Sequence, residues 1–130
     1  MTVELGMLVY SVVLFLLIIV VQAGLGIAQN GLVAQAGSRD SLPEPSVVRQ
    51  RLQRLTANLQ ENLVMFAIVV LVANAMGIGN DTTAMAATIF FYARVAHAIV
   101  YAFGWPMIRP LFYFVSLYGI VRIVLEILTA

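Results

Sequence analysis

Arginine placed inside apolar segments constrains this chain more than any other feature. Arg51, Arg54, Asn58 and Glu61 follow at steps of three, four and three, and Arg94, His97 and Tyr101 at three and four. Each set therefore shares one face of a helix. Both lie against or within segments apolar enough to sit in a bilayer. A charged side chain at the bilayer centre costs roughly 2.5–3.5 kcal/mol even on the lenient insertion scale. Such groups have to face one another, a water-filled cleft or a bound ligand. A polar intramembrane site is the first expectation.

Composition agrees with that setting. Of 130 residues, 62% are hydrophobic and 10% charged, against roughly 25% charged in a soluble domain. The class is a membrane protein, and the length holds four spans with short connections. All seven basic residues are arginine, and a net charge of +1 gives no broad electropositive surface, so no nucleic-acid partner is expected. With no cysteine there is no disulfide, thiolate nucleophile or sulfur metal ligand. Thiol chemistry would need a thiol carried in by a ligand. Residues 5–27 superficially resemble a signal peptide, yet no Arg or Lys precedes Arg39 and the apolar run is too long, so a retained first span is expected.

The spacing predicts one four-helix transmembrane domain over residues 1–130, with helices at 5–34, 47–76, 83–103 and 108–128. Residues 37–46, rich in Gly, Ser and Pro, read as a loop, with Ser46 as N-cap of the second helix. Residues 77–82 read as a tight turn. Gly104, Trp105 and Pro106 end the third span, the Trp suiting an interfacial belt. Pro110 is tolerable in a first helical turn. Arg39, Arg49, Arg51 and Arg54 in and after the first loop, with Arg109 in the third connection, place those connections in the cytoplasm and both termini away from it. The expected location is a bacterial inner or plasma membrane, as a multi-pass protein.

Arg94 is the deepest cation and Glu61 the one carboxylate at comparable depth, so a structural ion pair between them is expected. Asn58 and Asn62 are candidates for holding helices together, at about 0.6 kcal/mol per intramembrane side-chain hydrogen bond. One His and no Cys give no metal site. The glycines lack the spacing of a phosphate loop. Several guanidiniums, an amide, a carboxylate, an imidazole and a phenol suit a small anionic ligand bearing an amine: Arg binds carboxylates bidentately, and Glu61 can hold the amine. For Arg109 an interfacial anchor is the plain structural alternative.

Arg51-x-x-Arg54-x-x-x-Asn58-x-x-Glu61-Asn62, with Ala93-Arg94-x-x-His97-x-x-x-Tyr101 and Pro106-x-x-Arg109, resembles the MAPEG family of membrane-associated proteins in eicosanoid and glutathione metabolism. The resemblance implies an all-α bundle of four transmembrane helices assembling as a homotrimer, with glutathione as co-substrate between neighbouring subunits at the cytoplasmic side. It implies glutathione contacts at Arg51, Arg54, Asn58, Glu61, Arg94, His97 and Tyr101. Arg109 resembles the arginine beside the glutathione sulfur, which makes it the catalytic candidate, with Tyr101 second. The chain departs from the family pattern at Val64, where proline is usual. It departs again near Val33, where eicosanoid-type members carry an arginine, and the interval from Tyr101 to Arg109 varies among members.

The resemblance thus implies a membrane-bound glutathione-dependent transferase or peroxidase acting on a lipophilic small molecule. The alternative is a non-catalytic protein of the same fold that binds membrane lipid or a small anion, or serves as a scaffold. A transporter or channel subunit has less support, because the chain has neither an internal repeat nor broken spans.

Overall fold

The computed structural model describes residues 1–130. It is all-helical: α1 Val3–Asn30, α2 Leu32–Ala36, α3 Val47–Ala75, α4 Asp81–Phe103 and α5 Arg109–Leu128. Four of these, α1, α3, α4 and α5, are long and apolar enough to cross a membrane.

Three of the starts carry a side-chain cap. Thr2 accepts a hydrogen bond from the Leu5 N–H, and Glu4 sits in the first turn of α1, where the helix dipole favours an anion. Ser46 accepts from the Arg49 N–H at the head of α3. Asn80 and Thr83 form a reciprocal capping box at the head of α4, which satisfies two otherwise orphaned donors. The ends are as specific. Gly77 and Gly104 adopt left-handed φ of 71° and 72°, and the next N–H turns back to a carbonyl five residues earlier, Ile78 to Ala73 and Trp105 to Val100. That closure satisfies carbonyls the last turn leaves open.

The first helix differs from the expected continuous run over residues 5–34. Gly31 takes φ 84° and separates α1 from the one-turn α2. A glycine tolerates that conformation without a Cβ penalty, and the break swings the chain across the end of α1 toward the head of α3.

Packing centres on α4, which touches α1, α3 and α5. Leu63, Phe66 and Val70 of α3 meet Ala86, Ala87 and Phe90 of α4 and Ile120 and Ile123 of α5. The Phe66 and Phe90 rings stack with centroids 3.9 Å apart. Small residues bring α4 and α5 together: a Cβ on Gly119 would lie 2.6 Å from the Ala86 carbonyl oxygen. Small side chains at a crossing are how helices approach closely in lipid. A second cluster, Ile18 with Leu52, Leu55 and Leu59, joins α1 to α3. Only 24 of 130 residues are buried, and the many large apolar side chains left outside, Leu16, Leu17 and Val20 among them, need a lipid environment.

The two ends of the bundle differ. At one, Thr83 Oγ1 donates to Glu4 and Asn80 Nδ2 donates to Glu126 at 3.0 Å, which fastens α1, the α3–α4 turn and α5. At the other lie the long first loop and the α4–α5 connection, with five arginines. The Gly119 contact yields a direct test. Gly119→Ala should destabilise the protein by about 1–3 kcal/mol, read as a lower melting temperature in detergent. Gly24→Ala, with nothing within 4 Å of its Cβ position, should not. Equal melting temperatures for the two variants would contradict the close α4–α5 approach.

Candidate functional site

The stripe on α3 resolves into two edges. Taking about 100° per residue, Asn62, Arg51 and Asn58 fall toward α4, while Arg54 and Glu61 fall on the outward side. Burial follows that rotation: Asn62 is buried, Arg51 and Asn58 are half-buried, and Arg54 and Glu61 are exposed.

Arg94 is 1% exposed. Its Nη2 donates to Asn58 Oδ1 at 2.7 Å, and its Nη1 reaches Ser116 Oγ at 3.5 Å. Ser116 in turn donates to the Tyr113 carbonyl. Asn62 Nδ2 donates to the Asn58 backbone oxygen at 3.0 Å and to its Oδ1 at 3.3 Å. The expected Glu61–Arg94 ion pair does not form. Asn58 and Asn62, one turn apart, occupy the inward face opposite Arg94, and Glu61 stands about 100° round the helix from Asn62. It lines an outward depression with Ala57, Gln60, Val64 and Met65. The one ion pair of the chain is Arg122–Glu126 at 3.6 Å on α5.

A cleft of about 260 Å³ opens beside this buried knot, lined by Asn58, His97, Tyr101, Pro106, Arg109, Pro110 and Tyr113. Tyr101 sits between two guanidiniums. Its hydroxyl accepts from Arg54 Nε at 3.3 Å, and the Arg109 guanidinium lies 4.7 Å from its ring centroid, within cation–π range. The His97 and Tyr101 rings are 5.4 Å apart. His97 is 3% exposed, and its Nδ1 is buried without a partner. A buried polar atom with an unmet hydrogen bond beside a cleft is a place where a ligand or water gains.

Thus Asn58, His97, Tyr101 and Arg109 come together, Arg54 joins through the Tyr101 hydroxyl, and Arg94 joins through Asn58. Two candidates stand apart. Glu61 faces outward. Arg51 packs under the end of α4, so close that a Cβ on Gly104 would meet its guanidinium carbon at 2.7 Å, near the negative end of the helix dipole. No three His, Cys, Asp or Glu side chains gather. Two contributors escaped the sequence reading. Tyr113 and Ser116 lie four and seven residues after Arg109, on the same face of α5, and that helical interval was the available signal.

A family model described as the MAPEG family matches residues 7–129. The chain belongs to the MAPEG family. No curated protein and no solved structure matches it. The family assignment covers all four spans, so the motifs on α3, α4 and the start of α5 belong to one scaffold.

In this MAPEG chain the buried guanidinium should be coupled to Asn58 and uncoupled from Glu61. A hydrogen bond to a charged group contributes about 1.5–3 kcal/mol. Asn58→Leu and Arg94→Met should therefore show a coupling energy of about 1–3 kcal/mol in a double-mutant unfolding cycle. Glu61→Gln with Arg94→Met should show additive effects. Strong coupling in the second cycle would restore the ion pair.

Proposed function

We propose that this MAPEG protein binds glutathione at the Tyr101–Arg109 cleft and uses its thiol against a lipophilic electrophile or peroxide. The observation that carries the reading is Tyr101 set between Arg54 and Arg109, neither of which has a carboxylate partner in its own subunit. Family membership supports the ligand class. The absence of cysteine from the chain fits chemistry whose sulfur arrives with the co-substrate.

The donor set suits glutathione. Arg54 is exposed and able to grip a carboxylate bidentately, with the Asn58 amide beside it. Arg94 serves indirectly, fixing the rotamer of Asn58 from below. Glu61 is the group for the ligand's amine, while Arg51, packed under the end of α4, adds positive charge near the site without lining the cleft. Arg109 faces the cleft from the first turn of α5, where its charge favours a thiolate over a thiol. The Tyr101 hydroxyl is a second donor toward sulfur, and His97 offers its unmet Nδ1 from the floor. Attack on carbon forms a carbon–sulfur bond as the leaving group departs with its electron pair. On a peroxide, two glutathiones supply the electrons that cleave the O–O bond, giving disulfide, alcohol and water.

Size and charge support a homo-oligomer, a trimer as the family resemblance implies. A cleft of about 260 Å³ is below the ~300 Å³ lower bound of ordinary small-molecule sites, and Glu61 lies outside it. A neighbouring copy covering the outward face of α3 enlarges the site and brings polar partners to Glu61. Native mass spectrometry in detergent should give three subunits; a monomer that binds glutathione would overturn the shared site. In the reading that goes with this, the arginine-rich end faces the cytoplasm and both termini the opposite side.

Binding and activation separate in two variants. Arg109→Leu should leave glutathione affinity within a few-fold of wild type and raise the bound thiol's pKa, each unit being about 1.4 kcal/mol of lost thiolate preference. Arg54→Leu should weaken binding. Calorimetry gives the affinities, and thiolate ultraviolet absorbance titrated against pH at saturating glutathione gives the pKa. An unchanged pKa in Arg109→Leu removes it as activator. Absence of any glutathione binding to wild type leaves the non-catalytic alternative, a lipid or anion binder or scaffold of the same fold.

A further inference from the structure

Arg51 shares the inward side of α3 with Asn58, yet it is not among the residues lining the Tyr101 cleft. We infer that Arg51 is a positioning residue and not a carboxylate contact. Its guanidinium lies flat on Gly104 and holds the end of α4, and with it the connection that returns Arg109 over Tyr101. The chemical consequence rests on the glutathione reading; the packing does not.

A Cβ placed on Gly104 would lie 2.7 Å from Arg51 Cζ, 2.9 Å from its Nη2 and 3.0 Å from its Nη1. Three such similar distances mean that the guanidinium plane faces the Gly104 α-carbon broadside. No Cβ fits that space while the arginine lies there, so the contact requires glycine. The left-handed φ of 72° requires it a second time. Arg51 is half-buried and forms no ion pair, that of the chain being Arg122–Glu126.

Electrostatics favour the same placement. The last turn of α4 has no basic residue of its own, and the carbonyl end of a helix favours a cation. Arg51 supplies one from the neighbouring helix. The Gly104 N–H donates to the Tyr101 carbonyl and the Trp105 N–H to the Val100 carbonyl, both at 3.1 Å. The guanidinium therefore packs on the turn that carries Tyr101.

From that turn only residues 104–108 separate α4 from α5, and they set Arg109 at 4.7 Å from the Tyr101 ring centroid. So short a connection transmits a rotation at its first residue to its last. Tyr101 precedes Gly104 and Arg109 follows it, so one junction fixes both partners of the cation–π contact. Arg51 thus acts on the sulfur through Gly104, and the junction uses its planar face as well as its charge. Arg54, one turn further along α3, is exposed and remains the carboxylate contact.

The test uses the full chain in detergent, first without ligand. Gly104→Ala should push the guanidinium aside, because the obstructing atoms are the end of a flexible side chain, and so disturb the same junction as Arg51→Ala. Trp105 is the one tryptophan and adjoins Gly104. Its emission should shift in each single variant, and the double variant should match Arg51→Ala. Shifts that add would overturn the packing. Gly77→Ala, at φ 71° with nothing within 4 Å of its Cβ position, carries the left-handed cost alone and should leave the emission unchanged.

With glutathione bound, Arg51→Lys keeps the charge but not the planar face. It should raise the thiol pKa by about half a unit or more, roughly a three-fold loss of thiolate over thiol, with affinity within a few-fold of wild type. An unchanged thiol pKa in Arg51→Lys means that charge alone acts, and overturns the positioning role. Masking both carboxylates as the diethyl ester of glutathione should weaken binding by the same factor in wild type and Arg51→Ala. A smaller factor in Arg51→Ala makes Arg51 a carboxylate contact and overturns the inference. If wild type binds no glutathione, the glutathione reading fails by itself, and the ligand-free emission still upholds or overturns the Arg51–Gly104 junction.

Discussion

A guanidinium inside an apolar bundle has to find oxygen atoms, and Arg94 takes its two from different helices. Asn58 of α3 holds one nitrogen and Ser116 of α5 the other. Neither partner is charged, so the knot keeps a full positive charge at its centre and spreads it over amide and hydroxyl dipoles. Removing a single oxygen leaves a cation in a medium that cannot solvate it, the costly direction of any such substitution. The three helices around the cleft are therefore locked in rotation about one side chain. The Phe66–Phe90 stack and the Gly119–Ala86 approach add area to a register that Arg94 has already specified.

The site inherits its geometry from that register. With Asn58 held from below, the outward side of the α3 stripe is fixed, and Arg54 is delivered to the Tyr101 hydroxyl. Tyr101 lies two turns after Arg94 on the same face of α4, near the helix end that Gly104 closes. Because α4 stops there, the chain turns through Trp105 and Pro106 and returns Arg109 over the Tyr101 ring. The sequence of causes runs from a buried cation to an amide rotamer, then to a tyrosine between two arginines. The buried Nδ1 of His97 is left over in this arrangement, unmet by any protein group.

Much of this was legible in the residues. Four spans follow from runs of apolar residues long enough for a bilayer, and their ends from Ser46, the turn at residues 77–82 and Gly104, whose chemistry is local. Asn58, His97 and Tyr101 reach a common cleft because steps of three and four fix a helix face regardless of tertiary context. What the spacing does not fix is where a face of about 80° stops being inward. Arg51 and Glu61 sit at the two edges of such an arc, so one is tucked under α4 and the other turned away. Charge matching selected Glu61 as the partner of Arg94, but rotation favoured Asn58, which Asn62 supports from one turn on. The break at Gly31 was hidden for another reason: glycine is tolerated in an apolar helix, and only the pull of the loop toward Arg49 makes its left-handed conformation worthwhile.

The net charge of +1 conceals a strong asymmetry. At the end bearing the loop, five arginines (Arg39, Arg49, Arg51, Arg54, Arg109) stand against three carboxylates (Asp40, Glu44, Glu61). At the other end one arginine (Arg122) stands against three (Glu4, Asp81, Glu126). The carboxylate end is internally satisfied, since Glu4 and Glu126 are both hydrogen-bonded across helices. The arginine end is not: none of its guanidiniums forms an ion pair, and two separate cavities open beside them. An excess of unpaired cations at one end of a bundle attracts anions to it. The same asymmetry therefore leaves capacity for anionic ligands at that end. Arg94 is held by neutral oxygens because Glu61 is turned outward, and the arginines nearer the surface at that end form no ion pair within the subunit.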